Sequence, residues 1–334
     1  MTPLLELDGV GVDLLVEDRH RQVLRDVSFA LDRGEAIGLV GESGSGKSMI
    51  ARSIVRTLPQ GSRTTGRVLL DGEDLLSLDR KALRRVRANR ISMIFQDPRS
   101  AIDPMWKAGD HLTERLRRLR GCSRATARQR ARDLLQDVHI QDPDRVLDAY
   151  PHALSGGMLQ RVMIAGALSA EPDLLIADEP TTALDATVQS EIAAILAELK
   201  RGRGLALLFV THDLDLAAML CDRSVVLYAG TVMADQPMQS LVADPAHPYA
   251  GALLAARPSS DHRQDRLLAV PGPPASALAP PSGCPFHPRC GEAVAACSET
   301  AVSLQTLRLG VRSSCIRRQA DLEARNGSMR AEHG

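Results

Sequence analysis

Residues 35–55 read "EAIGLVGESGSGKSMIARSIV". A short apolar run with the character of a buried strand comes first, a segment with helical spacing comes last, and G-x-x-x-x-G-K-[ST] stands between them. That order builds a phosphate cradle. Gly41, Gly44 and Gly46 allow backbone amides to converge where a side chain would block the approach, with Glu42, Ser43 and Ser45 completing the loop. A helix beginning near Gly46 adds unpaired N–H groups and the positive end of its dipole. Lys47 reaches the terminal phosphates, and Ser48 offers a hydroxyl to Mg²⁺.

Hydrolysis needs a second metal anchor and a group that activates water. "LLIADEP" (174–180) supplies both: an apolar strand delivers Asp178, expected to hold Mg²⁺ through water, and Glu179, expected to polarise the attacking water. Gln96 in "ISMIFQDP" is placed to contact Mg²⁺ and that water, and His212 in "LLFVTHD" to reach the terminal phosphate. "LSGGMLQR" (154–161) is a second anion-binding helix start, with Ser155, Gly156 and Gly157 ahead of the helix "MLQRVMIAGAL". One nucleotide uses both starts if two subunits face head to tail.

The rest of the chain frames this site. At 334 residues with 44% apolar content it buries a full core, and with aromatics at 2% that core is built from Leu, Val, Ile and Ala. Lys plus Arg equals Asp plus Glu at 41 each, so no global field steers the protein to nucleic acid or lipid. The N-terminus carries acids where a signal peptide carries bases, and no apolar run reaches the roughly eighteen residues of a membrane span, which points to the cytosol. Arg-rich helices with solvated faces are expected around 78–150. Strands and helices alternate from 155 to about 235, with a hairpin at Ala229-Gly230, then a short helix in "DPAHPYAGALLAARP" and an extended linker in "AVPGPPASALAPPSG".

Four of the six cysteines close the chain as Cys284-x5-Cys290-x6-Cys297-x17-Cys315, while Cys122 and Cys221 read as incidental or core thiols. A cytosolic setting disfavours disulfides. Structural zinc prefers tighter C-x2-4-C pairs, whereas an iron–sulfur cluster tolerates varied spacing, so metal is favoured with zinc and iron both open.

The series GESGSGKS, Gln96, LSGGMLQR, LLIADEP, ALD (183–185) and THD resembles the ATP-binding subunit of ABC transporters over roughly residues 4–240. With "HPY" and the terminal cysteines it is similar to the subgroup energising di/oligopeptide and nickel importers. The resemblance implies an α/β P-loop NTPase (RecA-like) core with an antiparallel β subdomain, a helical insert near 97–165 and a Cys-rich extension. The implied division is an ATPase domain over 1–240, an HPY helix and linker over 241–283, and the extension over 284–334. It further implies ATP on Lys47 and Ser48 of one subunit, closed by the LSGGM loop of a second, paralogous ATPase subunit, with Asp185 communicating between sites. The Gln96 region and helical insert then push on two membrane permease subunits fed by an extracytoplasmic binding protein, at the cytoplasmic face of the membrane. Peptide is the expected solute and nickel or another small solute the alternative. A soluble ABC-type ATPase acting on nucleic acid or the ribosome is more distant, since such proteins usually carry two of these domains. On the adenine side no aromatic precedes Phe29, which leaves His20 and Arg21 as substitutes. For the tail, the resemblance implies a [4Fe–4S] cluster on Cys284, Cys290, Cys297 and Cys315, with Zn²⁺ as the alternative.

Overall fold

A computed structural model describes residues 2–182, 184–257 and 270–320. Ala183 of the ALD motif, part of the 241–283 connector and the last residues of the 284–334 extension lie outside the described residues. The chain forms two compact units.

The first unit comprises Met1–Leu5, Leu31–Ala36 and Leu70–Thr211. Its centre is a parallel ladder of Ile91–Ile94, Leu174–Asp178 and Ala206–Thr211. The latter two strands are buried at every position, as strands covered on both faces must be, which is why they read as continuous apolar runs rather than alternating ones. The helices Arg80–Asn89 and Gly156–Leu168 pack on the ladder's Ile91–Ile94 strand, Ala108–Arg120 and Arg124–Asp137 pack on each other and on Gly156–Leu168, and Ala186–Arg203 leads into the Ala206–Thr211 strand. Their ends follow local chemistry. Ser123 and Asp185 accept from the amides of Thr126 and Val188, and Gly121 and Gly204 stop their helices in the left-handed region. The arginines of the 124–145 stretch meet acids at the surface, with Arg128 on Asp148 and Arg132 on Asp144, matching the solvated helix faces expected there.

The second unit comprises Glu6–Ala30, Ile37–Leu69 and His212–Gly334. Glu17 and Asp18 both take positive φ, the two-residue turn whose twist suits an antiparallel hairpin, and join strands Leu5–Val16 and Arg19–Leu31. Arg63–Leu70 lies on the other side of Leu5–Val16. The expected hairpin at Ala229-Gly230 forms in the same way, pairing Arg223–Tyr228 with Thr231–Pro237. Ala36–Val40 runs parallel to Arg223–Tyr228. The short helix expected after residue 244 spans Pro248–Ala255, capped by His247, whose Nδ1 accepts from the Tyr249 amide at 3.0 Å.

Between Cys297 and Cys315, Gln305–Arg308 and Val311–Ser313 form a hairpin, and the second strand adds to Thr231–Pro237 with Asp235 opposite Arg312. Asp235 is 2% exposed and sits between two guanidiniums, Arg223 at 2.6 Å and Arg312. The Pro-rich stretch is likewise no free spacer, since the Ala275 amide donates to Tyr228 Oη at 2.9 Å. Sheet extension and two arginines on buried Asp235 anchor the tail. The alternating "TLRLGVRS" around Leu309-Gly310 was the available signal for this hairpin.

Candidate functional site

In the second unit the fully buried strand Ala36–Val40 ends at Gly41, which has φ +154; a Cβ there would stand 2.2 Å from the Leu227 carbonyl oxygen. The loop turns through Gly44 and Gly46, both at positive φ, and helix Lys47–Ile54 starts at Gly46 with no side chain capping it. An anion-binding helix start has this character, since a capping side chain would occupy the phosphate's place. Lys47 is 4% exposed, and its ammonium donates to the carbonyls of Gly41 (2.8 Å) and Glu42 (3.0 Å), which holds the charge against the loop. Ser45 Oγ is buried with no hydrogen-bond partner among the described residues, while its carbonyl accepts from the Gly230 amide at 2.8 Å. The 229–230 hairpin turn thereby supports the loop. Ser43 and His212 are exposed, as are His20 and Arg21.

The first unit carries the acids. Asp178 is 3% exposed at the end of its strand. Glu179 has φ +47, a left-handed conformation that costs a non-glycine residue roughly 1–2 kcal/mol. Its amide donates to the Val210 carbonyl at 2.9 Å, which holds that turn in place. Glu179 Oε2 accepts from Gln96 Nε2 and from Thr182 Oγ1, each at 3.0 Å. Strand register explains the first contact: Ile94 pairs with Ala177, and both chains continue two residues further to reach Gln96 and Glu179. The structure thus brings together two residues 83 apart that were singled out separately. Thr182 had not been singled out; the "EPTT" run placed a hydroxyl three residues beyond Glu179.

Ser155 caps helix Gly156–Leu168 by accepting from the Met158 amide at 3.3 Å. Gly156 and Gly157 occupy the first turn, where no intrahelical carbonyl reaches the amides. Gly157 has a second reason to be glycine, since a Cβ would come within 2.8 Å of Val188 on the helix that Asp185 caps. The signature loop and the Asp185 turn therefore pack as one piece.

All six cysteines are free thiols. Cys284, Cys297 and Cys315 are buried and Cys290 half-buried. Burial pushes the Cys284 thiol up to about 11, with the charges of Cys297, Cys315 and Cys290 adding to the effect; burial also raises Cys290, again with Cys315 and Cys297 contributing. The Cys284 amide donates to the Cys297 carbonyl at 2.8 Å, which brings those two segments together. Among the described residues no three His, Cys, Asp or Glu side chains already stand in a metal-holding group.

Comparison with known proteins gives this geometry a family. Residues 24–182 match the ABC transporter model, and residues 236–297 match the oligopeptide/dipeptide transporter C-terminal region. A probable peptide ABC transporter ATP-binding protein of Sinorhizobium fredii is 42% identical over 94% of this chain and 95% of its own length. The chain belongs to the ABC transporter ATP-binding family. The oligopeptide transport ATP-binding protein OppD of Haemophilus influenzae is 40% identical to this ABC subunit over 94% of the chain and 97% of its own length. Among solved structures, the dimeric MJ0796, a bacterial ABC transporter cassette, aligns with TM-score 0.63 and 28% identity over 70% of this chain and 98% of its own. The ABC fold and its ATPase chemistry therefore stand as expected from the motifs.

Proposed function

We propose that this ABC ATPase energises a membrane importer for di- and oligopeptides. The match of residues 236–297 to the oligopeptide/dipeptide transporter C-terminal region carries this reading, supported by relatives whose names specify peptide transport. On this reading the Gly41–Ser48 loop takes the ATP phosphates, with Lys47 on the terminal ones. Ser48 and Asp178 hold Mg²⁺, the latter through water, and Gln96 contacts both ion and water. Glu179 accepts the water's proton, His212 contacts the terminal phosphate, and a facing subunit's Ser155–Gly157 loop completes the site while Asp185 links the two sites. A paralogous ATPase, two permeases and an extracytoplasmic binding protein complete the assembly at the cytoplasmic face. Among the described residues no helix is long and apolar enough to cross a membrane. Residues 1–240 form the ATPase part, 241–283 the HPY helix and connector, and 284–334 the Cys-rich extension.

The four terminal cysteines are proposed to hold a [4Fe–4S] cluster, with one Zn²⁺ as the alternative. Four free thiols close together in sequence, three of them buried, and the Cys284 amide donating to the Cys297 carbonyl support this. When bound, the cluster supplies a cross-link between tail segments. Iron, sulfide and zinc content of anaerobically purified protein tests it: about four iron and four sulfide per chain supports the cluster, one zinc supports the alternative, and neither discards both.

The transport reading is tested with proteoliposomes holding the complete transporter. ATP-dependent uptake of a labelled tripeptide, lost with Lys47→Ala, is expected; uptake of Ni²⁺ but not peptide overturns the peptide assignment.

A further inference from the structure

The tail reaches the phosphate loop through one side chain. Arg289 lies between Pro288 and Cys290, and its side chain is 5% exposed. Its guanidinium grips the Glu42 carboxylate at both oxygens, Nη1 at 2.6 Å and Nη2 at 3.0 Å. The remaining donors are also used: Nη1 to Tyr228 Oη (3.1 Å), Nη2 to the Val270 carbonyl (3.2 Å) and Nε to the Pro271 carbonyl (2.6 Å). The guanidinium carbon also stands 5.7 Å and 5.9 Å from the ring centroids of Tyr228 and Phe286. A fork with every edge engaged fixes position far more tightly than a single charge does.

Glu42 is held from every other side as well. Its amide donates to Tyr249 Oη at 2.9 Å, and its carbonyl accepts from the Lys47 ammonium at 3.0 Å. Tyr249 in turn packs on Tyr228 and Phe286, with centroids 4.6 and 5.0 Å away. One phosphate-loop residue therefore joins the lysine to the C-terminal segment, across 247 positions of sequence. The chemistry gives this a purpose. A carboxylate inside a loop built to receive a polyanion opposes that anion unless something neutralises it.

We propose that Arg289 is a positioning residue for nucleotide binding: it cancels the Glu42 charge and locks the loop in the form that presents Lys47, so affinity for Mg-ATP depends on a docked tail. This rests on reading Gly41–Ser48 as the ATP site.

Mg-ATP affinity of the full chain, measured by displacement of a fluorescent ATP analogue, tests it. Arg289→Ala is expected to weaken binding about tenfold through the unpaired carboxylate. Adding Glu42→Gln to Arg289→Ala is expected to restore most of that loss. In the reconstituted transporter, KM for ATP rises in Arg289→Ala while kcat at saturating ATP stays near the parent value, a split that partial unfolding does not give. Unchanged affinity in Arg289→Ala, or an equal loss in the double variant, overturns the inference. If Arg289→Ala fails to fold, Arg289→Lys decides: a single ammonium cannot span both carboxylate oxygens, so affinity about threefold weaker is expected, and parent-like affinity overturns the inference. Lys47→Ala is the control; if it binds Mg-ATP as tightly as the parent, the ATP-site reading itself fails, whatever Arg289 does.

Discussion

Gln96 Nε2 donates to Glu179 Oε2 at 3.0 Å, joining the ends of two neighbouring parallel strands. Thr182 holds the same oxygen and the Val210 carbonyl holds the Glu179 amide, so both carboxylate and amide are fixed on a left-handed backbone. Strain retained at one acid and paid by surrounding hydrogen bonds is characteristic of a residue whose direction matters.

Replacing Glu179 with Gln keeps the shape and one acceptor but removes the base. ATP binding is expected to persist while steady-state hydrolysis by the assembled transporter falls about 100- to 10,000-fold. Undiminished turnover removes Glu179 from the role of base.

Gln96→Glu sets a second carboxylate where the amide now donates. Two like charges at that distance repel, so the Glu179 carboxylate is expected to lose its aim and steady-state hydrolysis by the assembled transporter to fall about tenfold. Turnover equal to the parent's shows that the contact is lost during the reaction.

Gly41→Ala meets both a positive φ and a carbonyl oxygen 2.2 Å from the new Cβ. A loss of about 2 kcal/mol or more in urea unfolding is expected, together with loss of nucleotide binding. Gly44→Ala has φ +77 but open space around it, so it should lose about 1 kcal/mol and still fold.

Asp235→Asn leaves two guanidiniums facing a neutral amide inside the sheet. Removing the charge from a buried pair costs about 3 kcal/mol, and here the loss falls on the tail strand. Limited proteolysis is expected to cleave the region after Pro237 sooner than in the parent; an unchanged digestion pattern shows that packing alone retains the tail.

Burial holds His111 below its ordinary pKa, opposed by Glu114 and Asp103 and reinforced by Arg115. The unfolded chain therefore binds this proton more readily than the folded one. Its contribution to stability is complete above about pH 6.5 and is lost as pH falls below that value. His111→Gln is expected to flatten the fall in melting temperature between about pH 6.5 and 5, and a slope equal to the parent's refutes this.

The sequence by itself determined the phosphate loop, the strand–acid junction at Asp178 and Glu179, the signature helix start, the 229–230 hairpin and the Pro248–Ala255 helix. Each is a local device: the residues that make it are adjacent, so spacing and residue type suffice. Only the tertiary structure decided that Gln96 meets Glu179, because that depends on two strands sharing a register. It also decided that the terminal strand extends the sheet over Asp235 and that Arg289 closes on Glu42. Those contacts join positions tens to hundreds of residues apart, and no periodicity records them. They exist because folding brings buried charges to the partners they need once water is excluded.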